Sequence, residues 1–130
     1  MASQPSFAAI PVIWRGSVST ANTNRDGTGT IVTLGTAGSN GTKINTVRIK
    51  ATGDPADSVV TLFLHDGTNY YLIDEFDLGN PVAGSATVTT YSDAHSFSDW
   101  VLPSGYSLRA AITAALTSGV VNVFCFGADL

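Results

Sequence analysis

The chain has 130 residues, enough for one domain that buries its own core, so neither a disulfide nor a metal ion is needed to hold it together. Charged residues make up only 12% of the chain and hydrophobic residues 44%, and Gly, Thr and Ser are abundant between the apolar runs, which is typical of an all-β domain. The net charge of -4 and the scattered basic residues argue against a nucleic-acid partner, and no apolar run approaches the roughly 20 residues of a membrane span.

Three further features bear on location, disulfide content and assembly. The N-terminus has no basic residue before its short, proline-interrupted apolar run, which predicts a soluble protein made inside the cell. Cys125 is the only cysteine, so an internal disulfide is excluded. A charge content this low also favours a surface that other subunits partly cover.

The N-terminal residues 1–11 are predicted to form an extended arm, because they begin polar and contain two prolines. Phe7 and Ile10 within this arm are apolar enough to require burial. The arm packs either on its own domain or on a neighbouring subunit. The folded domain is expected over residues 12–130.

Alternating apolar residues predict the first strand over residues 12–21. The following stretch, Asn22-Thr-Asn24-Arg-Asp26-Gly27, places side-chain oxygens at alternate positions before a glycine, as at the start of a calcium loop. The twelfth position of such a loop is a threonine, which supplies no bidentate carboxylate. A turn held by Asn and Asp side-chain bonds to their own backbone is the alternative, and we favour it.

Two further strands are predicted over residues 28–35 and 42–51. In the second of these, alternation turns Val47 inwards and Arg48 and Lys50 outwards. We interpret this basic pair as a solvated face rather than a partner site.

The strongest pattern in the chain is a β-hairpin over residues 58–76. Asp66-Gly67 supplies the positive-φ residue that a tight hairpin turn requires. In the first arm both the face of Leu62 and the face of Phe63 are apolar, which predicts a strand covered on both sides. The second arm becomes acidic as it leaves the core.

After the hairpin the sequence predicts a loop over 79–85, a Thr-rich strand over 86–91 and a strand over 97–102. The polar residues 92–96, which contain His95, are interpreted as a loop that interrupts these strands.

The segment 107–116 fits both a helical stripe and a strand, and its position in a β-rich chain favours the strand. A last strand, apolar on both faces, is predicted over 120–126. Eight or nine short strands with frequent turn signals predict an all-β fold, a single-domain antiparallel β-sandwich or jelly roll of about eight strands.

Few residues are candidates for chemistry. Neither His65 nor His95 has a second histidine or a cysteine at metal-ligand spacing. Alternation sends Asp74 and Glu75 to opposite faces of their strand, so they are poorly placed as a pair of catalytic carboxylates. Cys125, between two phenylalanines, is predicted to be a buried small hydrophobe. The sequence therefore indicates neither an enzyme nor a cofactor or metal site.

Five stretches along the chain carry a family resemblance: STANTNRDGTGT, GTKINTVRIKA, LFLHDGTNYYLIDEF, LPSGYSLRA and VNVFCFGADL. Together they resemble a group of small tailed-bacteriophage and prophage virion proteins, and the resemblance runs across most of the chain. It implies a β-sandwich or jelly-roll protein that decorates or cements the capsid surface, often as a trimer, and is made in the cytoplasm of the bacterial host. It also favours a strand over 107–116, and it carries no catalytic residues. The stretches 7–14 and 93–100 do not align with the family.

The sequence thus leads to the hypothesis of a non-enzymatic capsid decoration protein, a trimer that binds neighbouring major capsid subunits, without a cofactor, nucleic acid or membrane partner. A cement protein gains stability from many weak contacts repeated by symmetry. The apolar arm and aromatic strand edges provide the candidate partner-binding residues Phe7, Ile10, Val12, Trp14 and Trp100. The alternative is a receptor- or glycan-binding module of a phage head fibre, spike or tail fibre, with Tyr70, Tyr71, Tyr91 and Tyr106 as candidate contacts.

Overall fold

The computed structural model describes residues 10–79 and 81–130, except for the side chain of Asp99. Within these residues the chain forms eight strands and no helix, so it contains no helix that could cross a membrane. The strands are β1 (Ile10–Val18), β2 (Val32–Thr36), β3 (Thr42–Ala51), β4 (Val59–His65), β5 (Tyr70–Asp77), β6 (Ser92–Leu102), β7 (Ser107–Ile112) and β8 (Val121–Asp129).

The strands form two four-stranded antiparallel sheets. The front sheet has the order β1-β8-β3-β6 and the back sheet the order β2-β7-β4-β5. β1 pairs with β8, β2 with β7, β3 with β6 and β4 with β5, which are the pairs of one long hairpin. When this hairpin is wrapped into a sandwich, β3 also pairs with β8 and β4 with β7. This is the topology of a jelly roll, and the predicted fold class is confirmed.

The core lies between the sheets and follows the period-2 alternation of the strands. Val47, Ile49, Leu62, Ile112 and Val123 are fully buried there. Burying each such side chain contributes about 1.5–3 kcal/mol, which makes this layer the main source of stability.

The central hairpin is confirmed, with β4 and β5 joined by a turn in which Gly67 has a φ of +102°. The prediction that β4 is covered on both faces is also confirmed. Leu62 is fully buried on the inner face, and Thr61 and Phe63 are fully buried on the outer one.

The outer face of β4 is covered by the connection between β1 and β2, which crosses the back sheet. The backbone N–H of Asn22 donates to the carbonyl of Ile112 on β7, 2.8 Å away. Further along, Arg25 Nε lies 2.5 Å from Glu75 Oε1 on β5. The second apolar face of β4 is therefore buried by a loop rather than by another sheet.

Two strand predictions were wrong. Residues 86–91 form no strand, because the Ser85 hydroxyl accepts the backbone N–H groups of Thr87 and Val88 and closes a local turn. Residues 92–96 are not a loop but the first half of β6, since they pair with Thr46–Lys50 of β3. His95 is consequently a strand residue.

Several predicted boundaries also differ. β1 begins at Ile10, so the last two residues of the predicted arm are paired with β8, and residues 1–9 lie outside the described part of the chain. β2 begins only at Val32, because the preceding residues belong to the loop over the back sheet. The segment 107–116 is a strand as far as Ile112.

Candidate functional site

The predicted partner-binding residues lie at two opposite edges of the front sheet. On β1, Ile10 is 60% exposed, Val12 is half-buried and Trp14 is part of the core. Trp100 lies on β6, at the other edge. Phe7 lies outside the described residues. The fold therefore does not bring these residues into one patch, and as partner contacts they stay a prediction.

The edge of the sandwich formed by β1 and β2 is closed by Trp14. Its indole ring packs directly on Gly35 of β2, where a Cβ would lie 2.5 Å from Cδ1 and closer still to Cγ and Cδ2. Only a residue without a side chain fits against the ring at this point. Trp14 thus serves to close this edge.

The opposite edge, formed by β5 and β6, is open. An apolar cleft of about 410 Å³ lies between the two sheets there. Trp100 forms part of its wall and stacks on Phe97, with ring centroids 3.6 Å apart and planes 10° apart. The lining residues are Leu64, Ile73, Trp100, Val101, Leu102, Pro103 and Tyr106. We call this the edge cleft.

Next along the open edge, His95 ties the two sheets together. Its Nδ1 lies 2.7 Å from Asp74 Oδ2 on β5, and its Nε2 lies 3.7 Å from Asp93 Oδ2. Its ring stacks on Phe76 with centroids 4.0 Å apart. These contacts give His95 a structural role. In the described part of the chain, no three His, Cys, Asp or Glu side chains are arranged to hold a metal ion.

The other two residues considered for a chemical role, His65 and Cys125, are also explained by their places in the structure. His65 Nδ1 accepts the backbone N–H of Gly67 at 3.2 Å and so supports the hairpin turn. Cys125 is fully buried in the core, as predicted, and burial raises the pKa of its thiol to about 12. A thiol with so high a pKa is neutral at physiological pH and is a poor nucleophile.

The loop after β1 is held by local bonds, as the turn interpretation expects. Asn22 Nδ2 donates to the carbonyls of Thr28 and Thr30, and Asn22 Oδ1 accepts the backbone N–H of Asn24. Asp26 Oδ1 accepts both the backbone N–H and the hydroxyl of Thr28. These hydrogen bonds lower the pKa of Asp26. Asn22 Oδ1 and Asp26 Oδ1 therefore bond within the loop itself.

Sequence reasoning missed the outward-facing surface of the front sheet, which we call the front face. Its centre is formed by Phe124 and Phe126 of β8, both half-buried, with ring centroids 6.1 Å apart. In the strand register, Phe124 lies directly between Arg15 of β1 and Arg48 of β3. Ile13, 53% exposed, stands beside Phe126. The front face is therefore aromatic at its centre and basic on both sides.

The front face gathers most of the positive charge of the chain. Arg15, Lys43, Arg48 and Lys50 all have outward positions in the front sheet, and they are four of the six basic residues. Leaving Asp99 aside, no Asp or Glu has an outward position in this sheet. The scattered basic residues of the sequence are thus neighbours in the fold. A signal for this face was present in the last strand, which is apolar on both sides.

The comparisons with known proteins concern the fold. The sequence matches no protein-family model and no curated protein. The structure is similar to a chain in the acidic stable capsid structure of Helicobacter pylori bacteriophage KHP30, with a TM-score of 0.59 and 15% sequence identity over 92% of this chain and 87% of that one. A chain of the cyanophage Pam1 capsid asymmetric unit also matches, with a TM-score of 0.49 and 16% identity over 98% of this chain and 91% of that one. The first of these likenesses shows that the jelly roll seen here also occurs in a phage capsid structure.

Proposed function

We propose that this protein is a non-enzymatic structural component of a phage virion, which decorates the capsid as a trimer and stabilises it by binding neighbouring major capsid subunits. The observation that carries the proposal is the fold. A jelly roll of the same extent, matched over 92% of this chain and 87% of the other, belongs to the phage KHP30 capsid structure. The family resemblance carried by the sequence motifs supports the same role.

The physical basis of such a role is mass action. A protein that binds the assembled shell but not its separated subunits stabilises the shell, by about 2.7 kcal/mol per site when its free concentration is about 100 times Kd. Each contact can be weak, because the symmetry of the shell repeats it many times. A small domain with an exposed apolar and charged sheet face suits this purpose.

Co-sedimentation with capsids that lack the protein tests the proposal. We expect saturable binding at hundreds of copies per capsid, counted from gel band intensities, and a higher temperature of capsid disruption once the protein is bound. Binding of only a handful of copies, or none, would contradict a decoration role.

A second candidate function, a glycan-binding module of a fibre or spike, is favoured by one observation. The edge cleft is open and places the aromatic rings of Trp100 and Tyr106 on its walls. Aromatic faces of this kind are suited to stacking against sugar rings. Binding to immobilised bacterial surface glycans, abolished by Trp100→Ala in a folded protein, would favour this function over decoration.

A further inference from the structure

We infer that the front face of one copy binds the acidic β5–β6 edge of the next copy, so that the chain assembles head-to-tail into a closed ring. The inference rests on the trimer of the proposed function and identifies the two surfaces that form it. Its basis is that positive and negative charges lie on different surfaces of this domain.

The positive charge of the front face has no counterpart within the described part of the chain. The ion pairs found there are Arg25 with Glu75 and His95 with Asp74 and Asp93, and none of them involves Arg15, Lys43 or Arg48. Lys50 donates to the carbonyl of Thr90, which leaves its charge uncompensated. Cations that flank an exposed aromatic centre favour a partner with carboxylates around apolar side chains.

The open β5–β6 edge of the same chain carries carboxylates of this kind. Asp77 ends β5 and Asp93 lies near the start of β6, with Tyr91 between them; the Tyr91 hydroxyl donates to the carbonyl of Asp77 at 2.6 Å. The pKa of Tyr91 is raised, first by burial and then by the negative charges of Asp93 and Asp77. Both carboxylates therefore act at one place, which we call the acidic edge.

Exposed apolar side chains lie in the connection that joins the two strands of the acidic edge. Val82 and Val88, in the connection between β5 and β6, are 57% and 46% exposed. They could cover Phe124, Phe126 and Ile13 of a second copy while the carboxylates meet the cations. An aromatic and aliphatic centre with charges at its rim is the usual anatomy of a protein interface.

Charge disfavours any two-fold dimer that pairs one of these surfaces with the same surface of a second copy. A two-fold axis through the front face would place cations opposite cations, and one through the acidic edge would place carboxylates opposite carboxylates; both arrangements are repulsive. Pairing of the two different surfaces is attractive, and such a heterologous contact closes into a ring when its rotation permits.

The front face is large enough for such a contact. Four strands about 4.8 Å apart, each about nine residues long with a rise of about 3.3 Å, give a footprint on the order of 500 Å². The accessible area of a surface with protruding side chains exceeds its footprint, and stable interfaces bury about 800 Å² per partner. One front face is thus sufficient for one interface of ordinary size.

Charge reversal tests the inference, with oligomeric state measured by sedimentation equilibrium at about 50 mM and about 500 mM salt. We expect a trimer for the wild-type chain, weakened by salt. Arg15→Glu with Arg48→Glu, and separately Asp77→Lys with Asp93→Lys, should each weaken association by about 100-fold or more. Ser39→Glu with Ser104→Glu, at exposed positions outside both surfaces, serves as the control and should leave association unchanged. Circular dichroism verifies that each variant is folded.

The decisive variant carries all four reversals in one chain. Because its front face is acidic and its edge basic, it should recover the trimer that each double variant loses. A failure to recover would show that these two surfaces do not bind each other. A trimer that persists in Arg15→Glu with Arg48→Glu would overturn the inference and leave the proposed trimer intact. A monomeric wild-type chain would overturn the inference, whereas capsid co-sedimentation would still test decoration separately.

Nucleic acid is the other class of partner for an aromatic, basic sheet face. A single-stranded DNA of about 20 nucleotides is therefore added to the wild-type chain and to Arg15→Glu with Arg48→Glu. We expect no binding in the trimer, because the face is covered there. Binding to the wild-type trimer that this double variant loses would identify the front face as a nucleic-acid surface and overturn the inference.

Discussion

Replacing Gly35 by alanine should destabilise the domain strongly, although the change adds a single methyl group. The new Cβ would lie 2.5 Å from Trp14 Cδ1 and closer to two other ring atoms. Ordinary carbon contacts are about 3.5–4.0 Å, so the ring must retreat by about 1–1.5 Å. Trp14 is only 9% exposed and is held within the core, so it has little room to move.

The expected cost is at the upper end of the range for overpacking, about 3 kcal/mol. For a domain of this size, that loss lowers the melting temperature by about 10 °C. Backbone conformation contributes nothing to this cost, since Gly35 is not among the described residues with positive φ.

Urea unfolding followed by far-UV circular dichroism measures the effect. Gly105→Ala is the matched control, because a Cβ there meets no atom within 4 Å while φ is +85°; it should cost only about 1 kcal/mol. A double-mutant cycle with Trp14→Ala isolates the contact. Trp14→Ala alone should cost about 3–5 kcal/mol, and adding Gly35→Ala to it should cost almost nothing more.

Two results would refute this reasoning. If Gly35→Ala unfolds within about 0.5 kcal/mol of the wild-type chain, the Trp14 ring does not rest on Gly35. If the losses of unfolding free energy caused by Trp14→Ala and Gly35→Ala simply add, Gly35→Ala acts through something other than the indole ring.

Three further predictions concern ionisable side chains. His95→Ala should lower the free energy of unfolding by about 1 kcal/mol, because it removes the partly exposed pair with Asp74 and the stack on Phe76. An unchanged urea midpoint would show that His95 does not hold the open edge. Cys125, with a thiol pKa of about 12, should not react with a thiol reagent at about pH 8 until the domain unfolds, and rapid labelling of the native protein would contradict its burial. The pKa of Asp66 is lowered because its carboxylate accepts backbone N–H groups across the hairpin turn. The contribution of these hydrogen bonds to stability should therefore be complete above the ordinary pKa of 3.8 and be lost as the pH falls through the lower pKa of the folded state. A pKa of 3.8 or more in an NMR titration of the folded protein would contradict this.

Local patterns in the sequence predicted most of the strands, because a strand shows its buried face through alternation alone. Residues 42–51 and the hairpin around Asp66-Gly67 came out as expected. Prediction failed where the local residue pattern disagreed with a local turn or with strand pairing to a distant part of the chain. Residues 86–91 are rich in Thr but are held by the Ser85 turn, while the polar residues 92–96 become a strand because β3 offers them partners.

The candidate surfaces were harder to predict from the sequence than the strands were. Trp100 was predicted to contact a partner, and it lines the edge cleft, but nothing in the sequence places it apart from Ile10, Val12 and Trp14. The positive charge of the front face could not be foreseen, because Arg15 and Arg48 stand far apart in the sequence and become neighbours of β8 only in the fold.

The sequence by itself determined that this chain is a single all-β domain with two-sided burial at its centre, because composition and alternation are local properties. Only the tertiary structure decided which strands pair, which sandwich edge is closed by Trp14 and which is open, and that four of six cations share one face. The jelly roll pairs the first strand with the last, and contacts between such distant residues are set by the packing of the whole chain rather than by any pattern within one segment.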